Sequence, residues 1–237
     1  MSNTYDTDHD TEVVGIIPAR GESKGIERKN IRLLNGLPLI AYSIRAALRS
    51  HSVDSVVVST EDREIAHISK QHGARVPFMR PVELAADETP TEPVLTHLLK
   101  SLQKNGEEYE TLVLLQPTSP LRTAIHIDEA YELYASSGTD SVISAYPTRD
   151  IRWKRTPRGA QRVNYVDGSN RRQDREPEYI VNGAIYTTGV EAFLRTGDLK
   201  NGRTELYEMS RVDSADIDTP YDLWYANKLL TEWKDHD

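Results

Sequence analysis

The chain has 237 residues, 38% hydrophobic and 28% charged, with 37 Asp and Glu against 29 Lys and Arg and no cysteine. These values suit a soluble α/β domain with an elaboration; they exclude disulfides and thiolate metal sites, and no apolar run is long enough to span a bilayer. Half of the net charge of −8 comes from Asp6, Asp8, Asp10 and Glu12, so the body is mildly acidic and lacks the general basic field of a nucleic-acid binder.

Residues 1–12 read as a disordered, solvated acidic leader without the basic and apolar regions of a signal peptide, and a cytoplasmic location is expected. Residues 13–17 form a short apolar run closed by Pro18, the pattern of a buried parallel strand. Ile40, Ile44, Ala47 and Leu48 recur at helical spacing and predict a helix over 38–49. A β-rich stretch at 53–59 precedes a helix at 61–72, with Ile65 and Ile68 on one face and Gly73 as its stop. Val94, Leu95, Leu98, Leu99 and Leu102 make another helical stripe. A strand at 112–115, a helix near 124–136 and a strand at 141–146 continue the alternation. Strands separated by helices imply right-handed crossovers and a mostly parallel, twisted sheet flanked by helices, an α/β fold.

Between Arg149 and Arg175 the rhythm breaks. Nine Lys and Arg stand there against Asp150, Asp167 and Asp174, and Pro157, Gly159 and Gly168 interrupt short strand signals. This segment reads as an inserted arm, with no aromatic–basic interleaving to mark an RNA platform. The core resumes with a strand at 179–187. It ends in a helix from about Pro220 to Lys234, which Thr219 caps and Pro220 opens. The expected organisation is a leader at 1–12, a nucleotide-binding core at 13–148, a basic arm at 149–178 and a return to the core at 179–237.

The segment richest in chemistry is Ala19-Arg-Gly-Glu-Ser-Lys-Gly-Ile-Glu-Arg-Lys-Asn30, at the head of the first strand, where open α/β sheets carry ligand loops. Gly21 and Gly25 are expected to let the backbone turn tightly, so that successive N–H groups form an anion nest. Arg20, Lys24 and Lys29 add cations and Ser23 a hydroxyl, which suits a polyphosphate. The spacing matches neither a Walker A loop nor Gly-x-Gly-x-x-Gly. His97 and His126 fall in predicted helices and read as structural.

This loop resembles the signature of the acylneuraminate (CMP-sialic acid) cytidylyltransferases. Further similar blocks follow in order: Arg80-Pro-Val-Glu-Leu-Ala-Ala-Asp87, Leu115-Gln-Pro-Thr-Ser-Pro-Leu-Arg122, Arg172-Gln-Asp, Asn182-Gly-Ala-Ile-Tyr186 and Asp213-Ser-Ala-Asp-Ile-Asp218. The resemblance implies a Rossmann-like, GT-A-like nucleotidyltransferase fold with an inserted dimerisation arm, hence a homodimer without nucleic-acid or membrane partners. The implied reaction couples CTP to a nine-carbon α-keto acid sugar and releases pyrophosphate. By the same resemblance, Arg20, Ser23, Lys24, Lys29 and Asn30 hold the CTP phosphates and approach the cytosine. Arg80 and the 89–91 stretch, Thr91 included, complete the base and ribose pocket. Gln116 and Tyr186 face the sugar, Arg172 meets its carboxylate or the phosphates and reaches toward a neighbouring subunit, and Asp216 and Asp218 bind one or two Mg²⁺ ions. Arg20, Lys24, Asp216 and Asp218 are the implied catalytic set.

Two departures from the family pattern stand out. Glu22 and Glu27 occupy loop positions where small and proline residues are common, and repulsion from a triphosphate predicts that both side chains point outward. Where family members acting on N-acetylneuraminate carry an aromatic pair, this chain has Leu199-Lys200-Asn201, which leaves N-acylneuraminate, legionaminate and pseudaminate open as acceptors. The rival readings are a GT-A glycosyltransferase, which shares the Asp-x-Asp motif, an idle nucleotide-binding protein of the same fold, and an eight-carbon keto-acid cytidylyltransferase.

Overall fold

A computed structural model describes residues 12–164 and 171–233. The leader expected at 1–12 therefore lies outside the described residues except for Glu12, as do Asp167 and Gly168 of the arm and Lys234 of the last helix.

In chain order the elements are β1 (Val13–Pro18), a small hairpin of β2 (Leu33–Leu34) and β3 (Leu37–Pro38), α1 (Leu39–Arg49), β4 (Ser55–Ser59), α2 (Arg63–Gln71), α3 (Thr91–Lys104), β5 (Thr111–Leu114), α4 (Ala124–Ser137) and β6 (Ser141–Thr148). A second hairpin, β7 (Trp153–Thr156) and β8 (Gly159–Arg162), precedes β9 (Glu178–Gly189), α5 (Val190–Thr196), β10 (Thr204–Glu208) and α6 (Pro220–Lys228), which runs on into a π-helical turn at Leu229–Trp233. Each strand and helix expected from the pattern is present, within a few residues of its expected ends. The short β2–β3 hairpin, α5 and β10 come in addition.

Six strands form one sheet in the order β10-β6-β9-β5-β1-β4. β1 runs parallel to both β4 and β5, with Ile16 opposite Val57 on one side and Leu114 on the other, and β10 runs parallel to β6. β9 is antiparallel to both of its neighbours, so the sheet is mostly parallel with one reversed strand in its middle. Alternation along β1 shows why its sequence is apolar throughout. Val13 and Ile17 pack with Ile40, Ile44, Ile65 and Ile127 of α1, α2 and α4, while Val14 and Ile16 pack with Leu95, Leu98 and Leu102 of α3 and Phe193 of α5. A strand covered on both faces has no solvent side to make polar.

The helix ends follow local chemistry. Asp62 caps α2, its Oδ1 accepting from the Glu64 and Ile65 amides at 2.9 Å each, and Gly73 follows the helix at φ +97°. Thr219 and Asp222 form a reciprocal capping box at the start of α6, with Pro220 at the first helical position. His126 has the matching role at α4, its Nδ1 accepting from the Thr123 amide at 3.2 Å. His97 lies edge-on to the Phe78 ring with centroids 5.6 Å apart. Both histidines are built into the scaffold.

The basic arm leaves the sheet where β6 ends and returns where β9 begins, since Thr148 and Glu178 are paired across those two strands. It is thus an enlarged hairpin connection, and inside it the exposed β7–β8 ribbon stacks Arg162 over the Trp153 ring.

Candidate active site

A cleft of about 320 Å³ opens beyond the C-terminal ends of β1 and β5. These strands are adjacent, and the chain proceeds from β1 to β4 on one side and reaches β5 on the other, so the cleft sits at a topological switch point of the sheet. Its walls include Arg20, Ser23, Lys29, Asn30, Arg80, Thr89, Thr91, Gln116, Asp216 and Asp218. Nine of the twelve residues singled out from the sequence are among these. Lys24, Tyr186 and Arg172 are not.

The late carboxylates arrive through strand-like alternation. Ile217 is fully buried against Ile26, Leu34, Leu39 and Ala226, and its amide donates to the Thr118 carbonyl at 2.9 Å. With Ile217 turned inward, Asp216 and Asp218 both emerge into the cleft. Burial above all, with repulsion from Asp218 adding to it, holds the Asp216 carboxyl above the ordinary Asp value. Lys29 joins the two ends of the sequence: its Nζ donates to the Ile217 carbonyl and to Asp218 Oδ1, each at 2.9 Å.

The first loop is shaped differently from the expected nest. Among the described residues, neither Gly21 nor Gly25 has a left-handed φ; Arg28 does, at +55°, held by Asp62 at 2.5 Å and Glu64 at 2.7 Å. The two glycines serve close approach instead. A Cβ on Gly21 would lie 2.7 Å from Asp62 Oδ2, and one on Gly25 would lie 2.0 Å from the Asp218 carbonyl oxygen. The Gly21 amide is engaged by Glu61 Oε1 at 2.6 Å, so it does not belong to a free row of anion-binding N–H groups. Asn30 is buried and donates from Nδ2 to the Arg20 carbonyl at 2.9 Å, which closes the loop on itself.

The loop cations have carboxylate partners that sequence reasoning passed over. Asp87 Oδ1 lies 2.6 Å from Arg20 and its Oδ2 3.2 Å from Lys24, which stands exposed at the mouth. Arg80 is buried and meets Glu61 at 2.5 Å. Asp87 is the last residue of the segment that begins at Arg80, and Glu61 lies in the turn between β4 and α2. Of the two unusual glutamates, Glu27 is exposed and outside the cleft, whereas Glu22, also exposed, contributes to the rim, so the expectation that both point away fails for Glu22.

Gln116 follows β5 directly, and Gly183, at φ +73°, faces its side chain; a Cβ there would lie 3.1 Å from Oε1. The Asn182-Gly-Ala-Ile-Tyr186 block is a bulge in β9. Asn182 Oδ1 accepts from Ser144 Oγ at 2.6 Å and from the Ala184 amide at 3.1 Å. Arg122 pins the 116–122 turn to that bulge, donating to the Gln116 and Ala184 carbonyls at 3.2 and 2.9 Å, and complete burial pulls its guanidinium down to about 9. Tyr186 is half-buried behind the cleft, where burial and then the charges of Asp216 and Glu92 push its phenol up. Arg172 lies in the arm, 3.4 Å from Asp150 and outside the cleft of its own chain. The Leu199-Lys200-Asn201 stretch does not wall the cleft either. Leu199 is buried with Val190 and Phe193, and Asn201 donates to Thr188 Oγ1 at 2.9 Å.

No helix among the described residues is long and apolar enough to cross a membrane. The cytidylyltransferase family model matches residues 14–200. The chain is 33% identical to a CMP-N,N'-diacetyllegionaminic acid synthase of Legionella pneumophila, over 92% of this chain and 96% of that protein. It is 32% identical to a pseudaminic acid cytidylyltransferase of Campylobacter jejuni, over 90% and 94%. With an N-acylneuraminate cytidylyltransferase of Streptococcus agalactiae the identity is 36%, over 86% of this chain but about half (50%) of that longer protein. Among solved structures, a CMP:2-keto-3-deoxy-manno-octonic acid synthetase complexed with CTP has the same fold, at a TM-score of 0.68 and 14% identity over 94% of this chain and 100% of that one. So does a 4-diphosphocytidyl-2C-methyl-D-erythritol synthase of Anaerococcus prevotii, at 0.70 and 13% over 94% and 97%.

Proposed function

Because this chain belongs to the cytidylyltransferase family, we propose that it joins CTP to a nine-carbon α-keto acid sugar of the N-acylneuraminate, legionaminate or pseudaminate type and releases pyrophosphate. The observation that carries the reading is the meeting of the first loop with the late carboxylates at the head of β1 and β5, where Lys29 lies 2.9 Å from Asp218. Cations suited to a triphosphate and carboxylates suited to a divalent metal thus share one cleft. A GT-A glycosyltransferase would share the Asp-x-Asp motif but not the family match over residues 14–200.

In this reading the anomeric hydroxyl oxygen attacks the α-phosphorus. The bond from that phosphorus to its bridging oxygen breaks, and pyrophosphate leaves in line. Arg20, Lys24 and Lys29 stabilise the charge gathering on the leaving group, as oriented cations do without reorganising in the transition state. Ser23, Asn30, Arg80 and Thr91 hold the nucleotide, and Gln116 faces the acceptor, with Tyr186 behind that wall. The hydroxyl proton passes to a carboxylate of the Asp pair or to water. Asp216 and Asp218 fit Mg²⁺ as a donor set: two carboxylates on one wall of the cleft, both exposed to it, with the charge of one raising the other. Among the described residues no group of three or more His, Asp or Glu is placed to hold a metal, so phosphate oxygens would complete the shell. When bound, the ion would neutralise phosphate charge and lower the pKa of a coordinated hydroxyl. The reading extends to a homodimer in which the basic arm carries Arg172 toward the neighbouring subunit's cleft.

The test is incubation of labelled CTP and Mg²⁺ with a panel of nine-carbon keto acid sugars. Pyrophosphate and a CMP-sugar are expected from at least one of them. CTP left intact across the whole panel would overturn the proposal.

A further inference from the structure

We propose that Glu61, two residues beyond β4, is a positioning residue for cytidyl transfer, acting through Arg80; the inference rests on the reading above. Arg80 is a cleft residue with a side chain only 4% exposed, and a guanidinium so buried depends on its protein partners for charge balance and direction. Glu61 is such a partner, with Oε2 2.5 Å from Arg80 Nη2. The other oxygen of the same carboxylate, Oε1, accepts from the Gly21 amide at 2.6 Å, which anchors Glu61 to the first loop. The Arg80 amide donates to the Thr60 carbonyl at 2.8 Å, so backbone and side chain of Arg80 are both held by the turn that follows β4.

Charge explains why a carboxylate is tolerated beside a triphosphate cleft. Both Glu61 oxygens are directed at donors and its charge is neutralised by Arg80, so it orients a cation without presenting a free negative charge to phosphate. Arg80 Nε is buried and has no hydrogen-bond partner among the described residues. The guanidinium is fixed at one edge by Glu61, and what remains exposed of Arg80 lines the cleft.

Glu61→Gln keeps an oxygen acceptor for the Gly21 amide but turns an NH₂ donor toward Arg80. The full-length parent, E61Q, Arg80→Met and the double variant are compared by steady-state kinetics with CTP and an acceptor the parent uses, and by thermal melting. E61Q is expected to raise KM for CTP about 10-fold, the lower end of what losing a charge-assisted hydrogen bond costs. KM for the acceptor should stay within about twofold, and E61Q should add less than about twofold on top of R80M, because Glu61 acts through Arg80. Two results overturn the inference: KM for CTP unchanged in E61Q, or both KM values rising together with a lowered melting temperature, which is the signature of general loosening. Should E61Q fail to fold, the comparison of R80M with the double variant, in which neither buried charge is left alone, decides the matter. Equal KM for CTP supports the coupling and a further rise overturns it. A parent that releases no pyrophosphate from CTP defeats the cytidyl-transfer reading itself, whereas an active parent with an indifferent E61Q defeats only this inference.

Discussion

Gly25→Ala tests the junction on which the site depends. The Gly25 Cα faces the backbone of Asp218, and an added Cβ would lie 2.0 Å from the carbonyl oxygen, where real Cβ atoms essentially never come within 3.0 Å. The loop and the Asp segment must therefore separate by about 1 Å. No side chain can swing away to relieve the contact, because the obstructing atom is backbone, and Ile217 beside it is fully buried and bonded to Thr118. The movement would draw Lys29 off Asp218 and, in the proposed reaction, set the loop cations out of line with the acceptor. A misplacement of about 1 Å costs on the order of 100-fold in rate, and overpacking of this kind costs about 1–3 kcal/mol in stability. At this chain length that is a melting temperature lower by several degrees, about 2–4 °C per kcal/mol. The assay is kcat/KM for CTP beside a melting curve. Gly106→Ala is the control: Gly106 has φ +82° with open space around it, so alanine there strains the backbone without touching the cleft. G106A should lose about 1 kcal/mol in stability and keep its kinetics. If G25A keeps kcat/KM within about threefold of the parent, or if both variants lose rate equally, the close-approach argument is wrong.

Asp218→Ala should lower turnover about 10²–10³-fold and flatten the dependence of rate on Mg²⁺ while the melting temperature holds; near-parent turnover at saturating Mg²⁺ would remove Asp218 from the metal site. Asp62→Asn tests linkage to pH. The hydrogen bond from Arg28, outweighing burial, holds the Asp62 carboxyl below its ordinary value, so its contribution is complete above the unfolded Asp pKa, about 4, and is lost as pH falls through the lower folded value. The melting difference between parent and D62N should be widest near neutrality, about 1 kcal/mol for a partly exposed pair, and should narrow below pH about 4; a difference constant down to pH 2–3 would refute the linkage. Thr219→Ala removes a cap from α6 and should cost about 1 kcal/mol in melting experiments, with kinetics altered far less than by D218A.

How much of this was legible in the sequence depends on whether a residue's task is local or distant. Periodicity and caps are local, so the strands and helices of the sheet domain, the Thr219–Pro220 start and the structural histidines could be read directly. β10 could not: its Thr-Glu-Leu-Tyr-Glu sequence is half-exposed and lacks the continuous apolar run of a buried strand, and only pairing with β6 defines it. In the site, the cations stood out because they crowd one glycine-containing loop at the head of the first strand, and the Asp pair because its block resembles the family's; the cleft brings Arg20, Lys29 and both carboxylates together. The cations' partners did not stand out, because Glu61 and Asp87 act on Arg80, Arg20 and Lys24 across turns whose shape no spacing rule supplies. The glycines make the same distinction. Gly21 and Gly25 were rightly marked as special but for the wrong reason, since a sequence shows that a side chain is missing and not what occupies its place. Here Asp62 occupies it at Gly21 and the Asp218 backbone at Gly25. The loop is held to the late carboxylates by that exclusion as much as by the Lys29 ion pair, and the cleft is accordingly a product of the fold's two ends closing on each other rather than of the first loop alone.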